Sequence, residues 1–292
     1  MKLLSYIAFR ILILVFSILP FRLVYLLSDF LRFILKKVFR YRVSVVEKNL
    51  LYCFPSENPQ KLREIRDEFY KNFVDIILES LKGLATNPNK LIQRYTFRNP
   101  ELMDAVYSKD SHVIIFSQHY NNWEWAPICL GLQMKHHLLG VVKFLSNEYI
   151  NNYMIDGRSG NNVSVIPTYQ TAKYFLSLPQ EKKTVGIVFI ADQKPSGREK
   201  TIQLSFLGNE ASFHAGAANY AIKSGLPIYS LDVHRISRGR YEVEAVMIAK
   251  AGECHSAEEL TIKFKQNLEQ LIRKSPASWL WSHKRFKDFV EY

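Results

Sequence analysis

The sequence predicts an α/β fold with a mixed central β-sheet flanked by helices, and three observations predict it. Short apolar runs of strand length, such as 113–117 and 185–191, alternate through the middle of the chain with helical periodicities. The last two runs, 228–233 and 241–248, are joined by Ser237-Arg238-Gly239-Arg240 and read as an antiparallel hairpin, so the sheet is mixed. The 292 residues, 48% hydrophobic, suffice for one large core, and no internal repeat or low-complexity linker divides them.

The N-terminus adds a membrane-anchoring helical segment. Residues 1–48 hold nine Lys/Arg and two acids, so they carry +7 of the net +12 and the remaining residues only +5. Basic residues set among Leu, Ile, Phe and Val suit a membrane surface, where each is attracted to anionic head groups by about 1 kcal/mol. They do not form the solvated cluster of a nucleic-acid binder, and no nucleic-acid motif accompanies them. The apolar stretch 3–21 is just long enough to span a bilayer. Arg10 inside it costs about 2.5–3.5 kcal/mol on insertion scales, so the stretch either spans or lies on the membrane. Residues 23–38, with Asp29, Arg32, Lys36 and Lys37 among apolar side chains, suit an interfacial helix. No Ala-x-Ala-like site follows, and the dense positive charge after the apolar core opposes export, which disfavours a cleaved signal peptide. The expected division is an anchor over 1–40 and a globular domain over 41–292.

Within that domain Ser56 is placed to cap a helix whose apolar residues, from Leu62 through Phe69, Phe73 and Ile77 to Leu84, recur every three or four positions and end near Asn87-Pro88. Strands are expected at 113–117, 138–142, 163–166, 185–191, 202–207, 228–233 and 241–248, with a helix over 147–157. Ser256-x-x-Glu259 is a capping box that opens a final amphipathic helix ending by Pro276. Cys53, Cys129 and Cys254 share no close spacing, which excludes a disulfide framework and a zinc ribbon. The histidines show no His-Glu-x-x-His pattern, so no metal site is expected.

The candidate chemistry lies in His119-Tyr120-Asn121-Asn122-Trp123-Glu124, directly after the strand 113–117. Strand ends feeding helix starts are where open α/β sheets build their sites. Along a regular helix five residues turn by about 500°, so the two side chains meet only if His119 sits in the turn and Glu124 begins the next helix. An imidazole there is a candidate general base and the carboxylate a candidate partner that fixes its tautomer. Asn122 and Trp123 lie inside the motif and are candidates for substrate contact. Asp192-Gln193 ends the strand 185–191 and faces the same crevice if the two strands are neighbours; a loop cap is the plainer reading. Arg158, at a helix end, suits a phosphate or a developing negative charge, and equally suits an ordinary exposed helix terminus. Phe206-Leu207-Gly208 and the small-residue run His214 to Asn219 are read as a loop and a helix start.

The His-x4-Glu segment resembles the motif of the lysophospholipid acyltransferase superfamily, and His-Tyr-x-Asn-Trp-Glu-Trp resembles the bacterial lipid A biosynthesis (lauroyl/myristoyl) branch. The resemblance runs in order along nearly the whole chain: Asn49-Leu50, Phe54-Pro55, His119 and Glu124, Arg158, Asp192-Gln193, Phe206-Leu207-Gly208, then Trp279-Leu280-Trp281-Ser282-His283-Lys284-Arg285-Phe286-Lys287. Lys143-Phe144 stands where that branch often has Arg-Pro. The resemblance implies transfer of a fatty acyl group from an acyl-carrier-protein or CoA thioester to a hydroxyl of a lipid A precursor. It implies His119 as base, Glu124 as its partner, and Arg158, Asp192, Gln193, Asn122 and Trp123 at the substrate site. It also implies no cofactor, a glycolipid acceptor, and the cytoplasmic face of a bacterial inner membrane. No Gly-x-Ser-x-Gly elbow is present, so no acyl-enzyme is expected. Lysophospholipid or aminolipid O-acyl transfer by the same superfamily, and a non-catalytic membrane-binding protein, are the competing readings.

Overall fold

Residues 2–18 contain neither glycine nor proline and form helix α1 (Lys2–Ile18); Pro20 then opens α2 (Phe21–Phe33), a place where its fixed φ and missing N–H cost nothing. The computed structural model describes residues 1–160, 162–195 and 200–292. Only Ile13 and Phe16 of α1 are buried, while Leu3, Leu4, Ile7, Ile11, Leu12 and Leu14 are exposed. Among the described residues no helix is long and apolar enough to cross a membrane. Arg10 donates to the Tyr6 hydroxyl at 2.9 Å and lies over the Tyr153 ring at 4.7 Å, so its charge is turned toward the protein. Lys82 donates to the carbonyls of Phe16 and Ser17 at 2.8 and 3.3 Å, placing a cation on the C-terminal end of α1.

Helices α3 (Val43–Cys53) and α4 (Pro59–Leu84) follow. The cap of α4 is Asn58, whose side chain accepts from Gln60 N at 2.8 Å, and not the expected Ser56; Pro59 at the first helical position needs no acceptor. Two carboxyls of α4, Asp75 and Glu79, are fully buried. Asp75 accepts from Ser28 of α2 at 2.6 Å, from Arg235 at 2.7 Å and from Arg238, which also bridges to Asp29 at 2.9 Å. Glu79 accepts from Tyr25 of α2 at 2.9 Å and Tyr241 at 2.7 Å. Buried charges persist only when paired in this way, and the pairing fastens α2 to the body of the protein.

The remaining elements are α5 (Pro88–Leu91), β1 (Tyr95–Phe97), α6 (Pro100–Tyr107), β2 (Val113–Ser117), α7 (Ala126–Leu130), β3 (His137–Val142), α8 (Glu148–Arg158), β4 (Val163–Pro167), α9 (Thr171–Ser177), β5 (Val185–Ile190), β6 (Thr201–Phe206), β7 (Asn209–His214), α10 (Ala215–Ser224), β8 (Ile228–Ser237), β9 (Arg240–Ala249) and α11 (Ala257–Lys274). Seven strands form one sheet in the order β1-β9-β8-β2-β5-β3-β4; neighbours are parallel except β8 and β9, the expected hairpin. The sheet is mixed, as the sequence predicts. All five residues of β2 are buried: Ile114 and Phe116 enter the core on one face and Val113 and Ile115 the core on the other. That double burial explains a continuous apolar run in place of an alternating one. The hairpin turn uses Gly239 at φ 73°, and a Cβ there would collide with the Tyr25 hydroxyl, so the turn requires glycine twice over.

Two strands escape the sequence reading. β1 has three residues at the sheet edge, and β7 reads as loop because Asn209-Glu210-Ala211-Ser212 lacks a β-branched run. β6 and β7 form a separate antiparallel hairpin whose turn residues Leu207 and Gly208 both have positive φ, 52° and 86°. Ser256 caps α11 as expected, with Glu259 N donating to Ser256 Oγ at 3.1 Å, but the Glu259 carboxylate accepts from His255 N at 3.0 Å in place of Ser256 N.

Burial pushes the Glu79 carboxyl up to about 7 against the pull of its two tyrosine donors. The folded chain therefore holds a proton on Glu79 between pH 4.5 and 7 that the unfolded chain releases, and stability falls as pH rises through that window, by about 3 kcal/mol in all. Urea unfolding of Glu79→Gln should lack this component, so that the difference from the parent protein changes between pH 5 and pH 7.5; parallel profiles would refute it.

Candidate functional site

The parallel pairing of β2 with β5 sets Ser117 opposite Ile190, and Ala191 N extends the ladder to Ser117 O at 3.0 Å. Two residues beyond each strand end stand His119 and Asp192, and this register brings them together at the carboxyl ends of the strands. His119 Nδ1 lies 2.8 Å from Asp192 Oδ1, and the His119 backbone N–H donates to Asp192 Oδ2 at 3.0 Å. The Trp279 indole donates to Oδ2 at 2.9 Å. Behind the carboxylate, Arg285 Nε donates to the Asp192 carbonyl at 2.9 Å, its guanidinium stacked over Phe213 at 4.5 Å. Burial alone would raise the Asp192 carboxyl, but the His119 imidazole, the indole and the backbone N–H together hold it below the usual carboxylate range. Burial lowers Arg285 to about 10, which leaves it a cation at neutral pH.

A carboxylate accepts only, so Nδ1 is the protonated nitrogen and Nε2 carries the lone pair. The Gln193 amide stands 3.1 Å from Nε2 and is the matching donor. The Trp123 ring meets the imidazole edge-on at a centroid distance of 5.1 Å. In this tautomer the free lone pair is available to take a proton.

Glu124 is elsewhere. Among the described residues no hydrogen bond joins it to His119; it accepts from Arg158 at 2.6 Å and from the Trp123 indole at 3.2 Å. The expectation that Glu124 orients the imidazole is thus not met by this geometry, and Asp192 occupies that place. The physical reason lies in the turn. Asn121 takes φ 50° and its N–H bonds to Ser278 O at 2.9 Å, and α7 begins only at Ala126, so Glu124 is still in the turn and points at α8.

Asn122 is fully enclosed: its amide donates to Glu79 at 2.7 Å and its carbonyl accepts from Trp125 N at 3.0 Å. It holds the turn and is not among the residues that line the cavity beside His119. Trp125 completes the anchor by donating to Glu79 O at 2.7 Å, and Gly83 is needed beside it because a Cβ would sit 2.6 Å from the indole nitrogen. Sequence reasoning assigned no site role to Glu79, Trp279 or Arg285. The Trp-x-Trp-x-His-x-Arg run carried a hint of importance, but no local pattern says that an indole 87 residues downstream will reach Asp192. Ser196, Gly197 and Arg198 of the loop after Gln193 lie outside the described residues.

A cavity of about 210 Å³ opens beside the imidazole, lined by His119, Trp123, Glu124 and Arg158 at its polar end. Its walls are apolar: Leu138 and Gly140 of β3, Val163 and Val165 of β4, Val188 of β5, with Leu130 of α7 across from them. Leu138 pairs with Val163, and Gly140 with both Val165 and Val188, so the wall is one continuous patch of a single sheet face. A base with a fixed tautomer, an arginine held by a carboxylate and a narrow apolar slot suit proton removal next to a hydrocarbon chain.

Comparison with known proteins agrees. The family model described as bacterial lipid A biosynthesis acyltransferase matches residues 2–288. A lipid A biosynthesis lauroyltransferase of Escherichia coli (strain K12) is 23% identical over 273 residues, covering 92% of this chain and 87% of that protein. The chain belongs to the bacterial lipid A biosynthesis acyltransferase family and is an acyltransferase.

Proposed function

We propose that the protein moves a fatty acyl group from a carrier-protein thioester to a hydroxyl of a lipid A precursor, with His119 as general base and Asp192 as the group that orients it. The observation that carries this reading is the Asp192–His119–Gln193 line, which leaves Nε2 as an acceptor at the mouth of an apolar slot. An acceptor hydroxyl displaces the Gln193 amide and gives its proton to Nε2 as its oxygen attacks the thioester carbonyl. The tetrahedral intermediate then expels the thiolate, which recovers the proton from the imidazolium. Asp192 stabilises that imidazolium without taking the proton. Arg158, held by Glu124, is the cation in the same cavity and faces the negative charge that develops on the carbonyl oxygen. Glu124 acts through Arg158, as a positioning residue.

The slot suits the acyl chain, and Gly140 sits in its wall with room for a Cβ, which would lie 3.4 Å from Val165 Cγ1. The net charge of +12 suits an acidic carrier protein and an anionic membrane. The exposed apolar residues of α1, followed by Arg22, Arg32, Lys36 and Lys37, suit a helix resting on the cytoplasmic leaflet of a bacterial inner membrane.

Three measurements follow. Single-turnover acyl transfer should fall about 10²–10⁴-fold in His119→Ala and comparably in Asp192→Asn, and the double variant should lose little more, because the two act as one unit. A double loss equal to the product of the singles would separate them. Gly140→Ile should shift the products toward shorter acyl chains by mass spectrometry; an unchanged profile would remove the slot from chain selection. Replacing Leu4, Ile7 and Ile11 together by serine should weaken binding to anionic vesicles at least tenfold, and wild-type sedimentation would contradict docking through α1.

A further inference from the structure

A second cavity, of about 430 Å³, is lined by Tyr41, Arg42, Lys194, His283, Lys284 and Lys287 among others. It adjoins the reaction centre through the backbone: Leu280, in its wall, donates its N–H to the His119 carbonyl at 3.1 Å. Lys194 follows Asp192 by two residues, roughly 7 Å at full extension.

Among the described residues no carboxylate lines this cavity, whereas four permanent cations do. Lys194 is paired with Asp288 at its edge. Among the described residues Arg42 and Lys287 form no salt bridge, although the Lys287 charge acts on the Asp288 carboxyl from a distance, and the Lys284 ammonium lies 5.4 Å from the Tyr292 ring. Four like charges with only Asp288 to offset them repel one another and oppose folding, and an arriving anion reverses the sign of that cost. Four side chains from three separate parts of the chain converge here: the start of α3, the loop after β5 and the C-terminal segment. His283 adds a neutral donor and acceptor, since burial lowers it to about 4, and its Nδ1 has no partner.

We infer that this cavity binds a phosphate ester carried by one of the two substrates, and thereby sets the substrate against His119. The inference rests on the acyl-transfer reading above. The same phosphate chemistry has two sources, the glycolipid acceptor and the phosphodiester of the carrier's pantetheine arm, and neither is singled out by the cations alone.

Calorimetry of the full-length protein with inorganic phosphate tests the cavity directly. The parent protein should bind, and the Lys284→Ala/Lys287→Ala variant should bind at least tenfold more weakly while unfolding at no lower temperature than the parent. Kinetics then identify the source. If the acceptor supplies the phosphate, the preference in kcat/KM for a phosphorylated acceptor over its phosphatase-treated form should collapse toward one in the variant. If the donor supplies it, the preference for acyl carrier protein over an acyl-pantetheine lacking phosphate should collapse instead. Equal phosphate binding by parent and variant, or both preferences unchanged, would overturn the inference. Absence of acyl transfer by the parent protein would sink the reaction assigned above, and the calorimetry would still decide the cavity.

Discussion

The buried carboxylate of Asp192 is the constraint on which the site depends. It receives three donors from two distant segments, the ring and the backbone N–H of His119 and the indole of Trp279. An ion enclosed this fully is tolerated only because every one of those bonds is present. The arrangement therefore fixes more than one tautomer. It requires β2 and β5 to be neighbours in the observed register, and it requires the C-terminal segment to close over the strand ends. Arg285 completes the closure from behind by holding the Asp192 carbonyl, and its own charge is enclosed among Phe206, Phe213 and Phe286. A small shift in any of these parts would leave a charge without its partner, at a cost of several kcal/mol.

A second buried pair of carboxyls, Asp75 and Glu79, joins the N-terminal helices to the same loop. Glu79 takes Tyr25 from α2, Tyr241 from β9 and Asn122 from the catalytic turn, so one side chain ties three layers together. Asp75 ties α2 to the β8–β9 hairpin through Ser28, Arg235 and Arg238. Helix α2 is thus connected through buried side chains to the turn that carries His119. Docking of the protein on a bilayer would orient the site as well as hold it nearby.

How much of this was legible in the sequence depends on range. Local signals held: the strand 113–117, the Gly239 hairpin turn and the Ser256 cap all rest on chemistry within a few residues. His119 and Asp192 were each visible as polar residues at strand ends, and the crevice reading brought them together. Their bond was not legible, because sequence spacing favoured the nearer carboxylate, Glu124, and adjacency of β2 and β5 is a property of the sheet. The burial of Asn122 was not legible for the same reason: its partner Glu79 lies 43 residues away on a helix whose face reads only as core. Buried polar contacts leave no periodic trace, so the roles of Asp75, Glu79 and Arg285 are invisible until the layers are stacked.

The two carboxylates near the imidazole also explain why the nearer one is not the orienter. Asp192 is 1% exposed and surrounded by donors, a setting that keeps it ionised and immobile. Glu124, a quarter exposed on the cavity wall, is bound to a guanidinium that is itself a quarter exposed. An orienter has to stay fixed while the imidazole gains and loses charge, which suits the enclosed aspartate. A pair that meets substrate has to remain reachable from the cavity, which suits Glu124 and Arg158. In the proposed mechanism the distribution of burial between the carboxylates, more than their distance along the chain, divides proton transfer from charge stabilisation.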